Sequence, residues 1–215
     1  MKKVGLLLIG LIITIFANGQ IVKIQFGTSI SKMNGEITNI DVNSLYDETF
    51  IGYPIFVGID YFDRKFFNLS SNIGMIRRGG KREMLVPADP FGMVMRTITE
   101  EATLDYLSIN TMVDFKYRIK EKVSPFISIG PRFDYLVSSS KHFIVLELLD
   151  DLNSTSIGLI FGGGVKYDIS NLQFGLRADY YLDFTKVAEW SAKEDRAAGK
   201  VSINTFVISL TVGYR

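Results

Sequence analysis

Beyond residue 20 the chain is a succession of strand-like segments whose connections alternate between short and long without exception. The segments fall at about 21–31, 51–62, 66–78, 103–117, 123–137, 156–168, 172–184 and 201–215. The second and third meet across "DRK", the fourth and fifth across "RIKEK", the sixth and seventh across "DISN". Between these turns lie the long stretches 32–50, 79–102, 138–155 and 185–200. A sandwich of Greek keys has no reason to space its turns this way. An up-and-down barrel with short turns at one end and long loops at the other does, and it favours an even number of strands. Most segments run 11–15 residues, longer than the roughly 5–6 usual in soluble sheets and enough for a tilted membrane strand of about 9–11.

Each segment has two unlike faces. In "SPFISIGPRFDY", Ile127, Ile129, Pro131, Phe133 and Tyr135 share one parity, and Ser128, Gly130, Arg132 and Asp134 the other. A period of two is the signature of a strand with one apolar and one polar side. It does not say which side looks inward. The polar faces collect charges of both signs, at Lys23, Asp60, Asp114, Lys116, Arg132, Asp134, Lys166, Arg177, Asp179 and Arg215. Glycine accompanies them at Gly27, Gly58, Gly74, Gly130, Gly158, Gly162, Gly164 and Gly175. A water-facing surface does not favour glycine, which weakens a strand and packs nothing. The narrow lumen of an eight-stranded barrel does, because small residues make room for long side chains. The apolar faces end in "GIDY", "DFKY", "GVKY" and "TVGY". Tyr61, Tyr117, Tyr167 and Tyr214 thus stand at one level, as an aromatic girdle at a membrane interface requires.

The N-terminus agrees with an exported chain. Lys2 and Lys3 precede an uncharged apolar run from Val4 to Phe16, followed by Ala17 and Gly19. This is the layout of a secretory signal peptide over residues 1–19, cleaved before Gln20, and the run is shorter than the roughly 20 residues of a spanning helix. The remaining residues, 20–215, form one barrel domain. No cysteine is present, so disulfides, thiolate metal sites and a lipid-anchored N-terminus are excluded. A net charge of +1 gives no reason to expect nucleic acid as a partner. The expected fold is an all-β, eight-stranded antiparallel up-and-down transmembrane barrel with short periplasmic turns and long outer loops.

Several stretches resemble the PorT-type outer-membrane β-barrel domain found widely in Bacteroidota, whose architecture is of the eight-stranded OmpX/OmpA kind. They are "NLSSNIGMIRRGGK", "LDYLSINTMVDFKY", "PFISIGPRFDYLVSS", "GLIFGGGVKYDISNLQFGLRADYYL" and "LTVGYR". The resemblance spans nearly all of the expected mature chain. It implies an outer-membrane location and links the chain to a family whose founding type serves protein secretion and gliding. It carries no set of functional residues.

Chemistry-bearing constellations are sparse. Acyl transfer or hydrolysis needs a nucleophile, a base and an orienting acid within reach. The one histidine, His142, lies in a long loop beside Ser138, Ser139 and Ser140, too close in sequence for an obvious triad. "FGGGVKY" lacks the GK[ST] ending and following helix of a phosphate loop. Met112 and Asp114 make no metal cluster. No cofactor, metal site or catalytic activity is therefore expected. The charges from Lys23 to Asp179 named above read as a structural network filling the lumen. Arg77, Arg78, Lys81 and Arg82 in "RRGGKR" read either as a solvated rim or as contacts to lipopolysaccharide phosphates. Apolar residues in two long loops, Leu85, Val86 and Phe91 in one and Phe143 and Ile144 in the other, suggest docking of a partner. Strands prolonged past the membrane would account for them equally well.

The favoured function is structural or interactive: an envelope or secretion-machinery component that docks through its outer loops. Its surroundings would be outer-membrane lipid and lipopolysaccharide, with the barrel-assembly machinery engaged during insertion. A narrow passive pore is the alternative, and a lipid-modifying enzyme the third reading.

Overall fold

A computed structural model describes residues 20–37, 46, 48–88, 95–119, 122–140, 152–192 and 198–215. The expected signal peptide, His142, Phe91, Phe143 and Ile144 lie outside the described residues. Eight long strands follow one another: β1 (Ile21–Ile37), β3 (Pro54–Tyr61), β4 (Phe67–Pro87), β5 (Met95–Lys116), β6 (Val123–Ser139), β7 (Thr155–Ile169), β8 (Leu172–Asp183) and β10 (Gly199–Tyr214). Each pairs antiparallel with its neighbour in sequence, and β1 pairs with β10, so the meander closes into a ring. Two short strands complete it. β2 (Phe50–Gly52) prolongs β3 along the edge of β1, and β9 (Ala188–Trp190) prolongs β8 along β10. Closure removes every free edge within the ring, which a membrane demands because lipid offers no hydrogen-bond partner.

The faces take the orientation of a membrane barrel. Ile127, Ile129, Phe133 and Tyr135 of β6 point outward and are exposed, as are Phe174, Leu176 and Tyr180 of β8 and Phe206, Ile208, Leu210 and Val212 of β10. Lys23, Asp60, Asp114, Lys116, Arg132, Asp134, Lys166, Arg177 and Asp179 point inward and are buried. Soluble proteins almost never bury so many charges while exposing a continuous apolar belt. Lipid around that belt accounts for both. Three of the girdle tyrosines, Tyr117, Tyr167 and Tyr214, are exposed beside the short-turn end. Tyr61 is half-buried, its hydroxyl 3.0 Å from that of Ser71, which in turn lies 3.0 Å from the Thr111 hydroxyl.

The β5–β6 pairing has two local irregularities, the first with a covalent cause. Pro131 lies in the middle of β6, where it has no N–H to give. The β5–β6 pairing is accordingly interrupted between Asn110↔Arg132 and Val113↔Ile129, while Pro131 stays in register with Leu159 of β7. Farther out, the β5–β6 register shifts at Asp105/Tyr106. Ser138 stands opposite Asp105 and Leu136 opposite Tyr106, so Val137 is the extra residue of a bulge and both Val137 and Ser138 are exposed.

The stretch 79–102, expected as a long loop, is mostly strand. β4 continues to Pro87 and β5 begins at Met95, with unbroken pairing from Arg77↔Asp105 to Pro87↔Met95. Gly79 and Gly80 stand within this strand and serve close packing. A Cβ on Gly80 would stand 2.6 Å from the Tyr46 carbonyl oxygen and 3.1 Å from the Met33 Cβ. Leu85 and Val86 therefore lie on β4, paired with Thr97 and Arg96, rather than in a loop.

Candidate functional site: the filled lumen and its two mouths

Along β1, β3, β5, β7 and β8, the inward parity places long charged residues opposite small ones, and this builds the lower half of the lumen. Lys23 Nζ lies 2.5 Å from Asp60 Oδ1, and Lys166 Nζ donates to both Asp60 Oδ2 and Asp114 Oδ2 at 2.9 Å. Arg177 lies 3.8 Å from Asp114 and donates two bonds to Asp179, at 2.9 and 3.0 Å, with a further 2.9 Å bond to the Ser128 hydroxyl. Three cations and three carboxylates thus form one neutral chain across the barrel. Phe126 packs beneath it, with Lys166 and Arg177 at 5.3 and 5.4 Å from its ring centroid.

A second ion cluster fills the upper half. Arg78 pairs with Asp134 and lies 3.1 Å from Asp183. Arg132 pairs with the same two carboxylates, 3.1 Å from Asp134 and in direct contact with Asp183. Each guanidinium also stacks on a buried tyrosine, Arg78 on Tyr106 and Arg132 on Tyr181, both 4.4 Å from the centroid. Two cations, two anions and two aromatic rings close the section. Above them an apolar cap of Met33, Tyr46, Leu104, Val187, Trp190 and Ile203 packs together. Strand β9 carries Trp190 into that cap.

The glycines of this interior are spacers. At Gly162 a Cβ would overlap the Asp179 carboxylate. Replacing Gly162 with alanine is therefore expected to push Asp179 off Arg177 and lower stability by about 1–3 kcal/mol, the usual cost of overpacking. The urea midpoint of the folded barrel, followed by fluorescence of the single tryptophan, measures it. An unchanged midpoint would mean that the lumen has slack.

At the outer mouth the basic stretch is not the exposed patch it resembles in sequence. Arg78 has no exposed surface and belongs to the lumen, because it shares its parity with Asn68, Ser70 and Asn72 of β4. The other three cations each face a carboxylate on β5. Arg77 forks onto Asp105 at 2.6 and 2.8 Å, Lys81 lies 2.5 Å from Glu101, and Arg82 donates to Glu100 at 2.6 and 2.8 Å. This ladder of cross-strand ion pairs stiffens the projecting hairpin. It also leaves the ladder with no net charge to attract a phosphate.

At the short-turn mouth, Asp63 gathers cations. It pairs with Lys116 and accepts from Arg215 Nη2 at 3.0 Å, and Arg118 stands 4.0 Å away. Arg215, read from sequence on a polar strand face, is at the rim and partly exposed, because it lies past the last paired residue of β10.

Of the nine lumen residues expected from sequence, eight fall in these two clusters, whereas Lys116 pairs with Asp63 at the short-turn mouth. Sequence reasoning missed Arg78 and Asp183 as members. Both were within reach of the parity rule: Arg78 follows Ile76 and Gly74 inward on β4, and Asp183 follows Tyr181 and Asp179 on β8. Among the described residues no group of His, Asp and Glu has the arrangement of a metal site.

A closed antiparallel ring with an apolar outer belt and a charged, filled interior defines an outer-membrane β-barrel protein. The chain belongs to the outer membrane protein beta-barrel domain family, whose profile matches residues 7–189. No curated protein matches it. Among solved structures it is similar to the outer membrane protein OprG of Pseudomonas aeruginosa, at 10% identity and a TM-score of 0.50, covering 92% of this chain and 97% of that one. It is also similar to Neisserial surface protein A, at 13% identity and a TM-score of 0.46 over 90% and 96% of the two chains. The attachment invasion locus protein Ail of Yersinia pestis matches at 14% identity and a TM-score of 0.41 over 91% and 99%. At these identities the likeness concerns the fold.

Proposed function

We propose that this protein is a PorT-type barrel of Bacteroidota with a structural or interaction role in the envelope, docking a secretion-system or other envelope component through its outer face. The observation that carries this reading is the packed lumen: among the described residues, two neutral ion clusters and an apolar cap fill its section. The surface we assign to this docking is the outer end, above all the β4–β5 hairpin. Leu85 there is 66% exposed and Met95 50% exposed on a ribbon that outruns the ring. Arg77, Lys81 and Arg82 would meet lipopolysaccharide phosphates at the same level only by exchanging their carboxylate partners, whereas Arg78 is out of reach. Residues Phe91, Phe143 and Ile144 are assigned to the same docking surface from their sequence context. Outer-membrane lipid surrounds the barrel, and the assembly machinery engages it during insertion.

Crosslinking in native envelopes tests the docking. A photoreactive residue at Leu85 should capture a discrete partner, and replacing Leu85 and Met95 together with serine should abolish capture while the barrel still folds. Capture of nothing but lipid would remove the reading. Purified protein in planar bilayers should show no steady conductance, since buried, paired charges occlude the section. Steady solute-sized channels would instead favour a pore.

A further inference from the structure

The β3–β4 turn, Phe62-Asp63-Arg64-Lys65-Phe66, contains the only aromatic residue among those described that is held at positive φ. Phe62 sits at φ 66°, a left-handed conformation that is uncommon for any side chain and an outlier for a bulky one. A glycine would adopt it freely. The strained backbone presents a ring that is 59% exposed, and Phe66 at the other end of the turn is 63% exposed. Between them Asp63 turns under the barrel onto Lys116 and Arg215. Arg64 and Lys65 turn the other way, each stacked on its neighbouring ring at 5.4 Å. Both cations are exposed, and no carboxylate among the described residues pairs with either. The turn itself is braced: Arg64 N–H donates to the Phe67 carbonyl at 2.9 Å and Lys116 N–H to that of Phe66 at 2.8 Å.

We propose that this turn is a headgroup site for anionic phospholipid of the periplasmic leaflet. Short turns face the periplasm in such barrels. Exposed aromatic rings at that end lie at the depth where ring and headgroup meet. A guanidinium and an ammonium between two rings then present a fork and a point charge to one phosphate. Arg118 and Lys122, exposed on the adjacent turn, add positive potential, and Asp168 is occupied by Gln173 at 2.8 Å. The charge balance at this end favours an anion, and the two rings place it at a bilayer surface rather than in solution.

The test uses the full chain reconstituted in bilayers of phosphatidylcholine doped with spin-labelled phosphatidylglycerol or spin-labelled phosphatidylcholine. Wild type should retain the anionic label in preference to the neutral one. The double variant Arg64→Gln, Lys65→Gln should lose roughly fivefold of that preference, as should wild type at high salt. Phe62→Gly supplies a readout that a purely structural turn would not move. It should lower the lipid preference while its unfolding midpoint holds or rises, because the strain is relieved. Equal retention of the two labels by wild type overturns the proposal, and so does a preference unchanged in the double variant. The first result, joined to loss of a bound periplasmic protein in that variant, would assign the turn to a protein partner instead.

Discussion

Replacing Arg78 with methionine is expected to cost the barrel about 3–5 kcal/mol, the scale on which breaking a buried ion pair destabilises a protein. Arg78 and Arg132 share Asp134 and Asp183. Removing one guanidinium leaves two carboxylates on one cation in a space with no exposed surface at Arg78, Arg132 or Asp134 side chains. Tyr106 also loses the cation on its ring. The cost is mainly that of the uncompensated charge left behind, and a second substitution separates the two contributions. Combining Arg78→Met with Asp134→Asn restores neutrality and should recover a large part of the loss, although each single change is damaging. A double-mutant cycle on urea midpoints in vesicles measures this coupling. Additive losses would show that the upper cluster does not act as a unit.

An arginine at position 129 is expected to be nearly as harmful, for a reason outside the lumen. Ile129 faces outward midway along β6, between Val123 at the short-turn end and Tyr135 toward the loops. A cation on the lipid face costs about 2–4 kcal/mol near the bilayer midplane and about 0–1 near an interface. Ile129→Arg should therefore fold poorly, whereas Tyr117→Arg, at the girdle, should fold almost normally. The folded fraction after refolding into vesicles, seen as the compact band on an unheated gel, reports both. Equal tolerance at the two positions would mean that no hydrocarbon layer lies against residue 129. Arg132 is a poor control for this comparison: it holds two carboxylates, so its replacement by glutamine belongs with Arg78 among the damaging changes.

The ring was legible in the sequence because two periodicities are imposed from outside the chain. Lipid requires an apolar residue at every second position, and the periplasmic side requires short turns. "SPFISIGPRFDY" carries the first and "DRK", "RIKEK" and "DISN" the second. Membership of the lumen followed the same parity, and this is why Lys23, Asp60, Asp114, Lys166, Arg177 and Asp179 could be named together. The division into two clusters was not legible, since it depends on how far each strand is staggered against the next. Strand ends were read poorly for a related reason. Gly79 and Gly80 look like a stop in one dimension, and only the Tyr46 backbone against Gly80 explains why they continue a strand. The neutral ladder of Arg77, Lys81 and Arg82 with Asp105, Glu101 and Glu100 was hidden likewise. Its partners lie 18 to 28 residues away and become neighbours only through the hairpin register.

The central claim is the orientation of the faces, and it can be read directly on β6. The chain has no cysteine, so single cysteines at 126, 127, 128, 129, 133 and 135 carry a nitroxide without background. In bilayers, labels at 127, 129, 133 and 135 should be accessible to oxygen dissolved in the lipid, with collision rates rising toward the middle of the strand. Labels at 126 and 128 should be shielded from both oxygen and a water-soluble relaxant, because the lumen is filled. The opposite phase, with 126 and 128 open to lipid and 127 and 129 buried, would contradict the account.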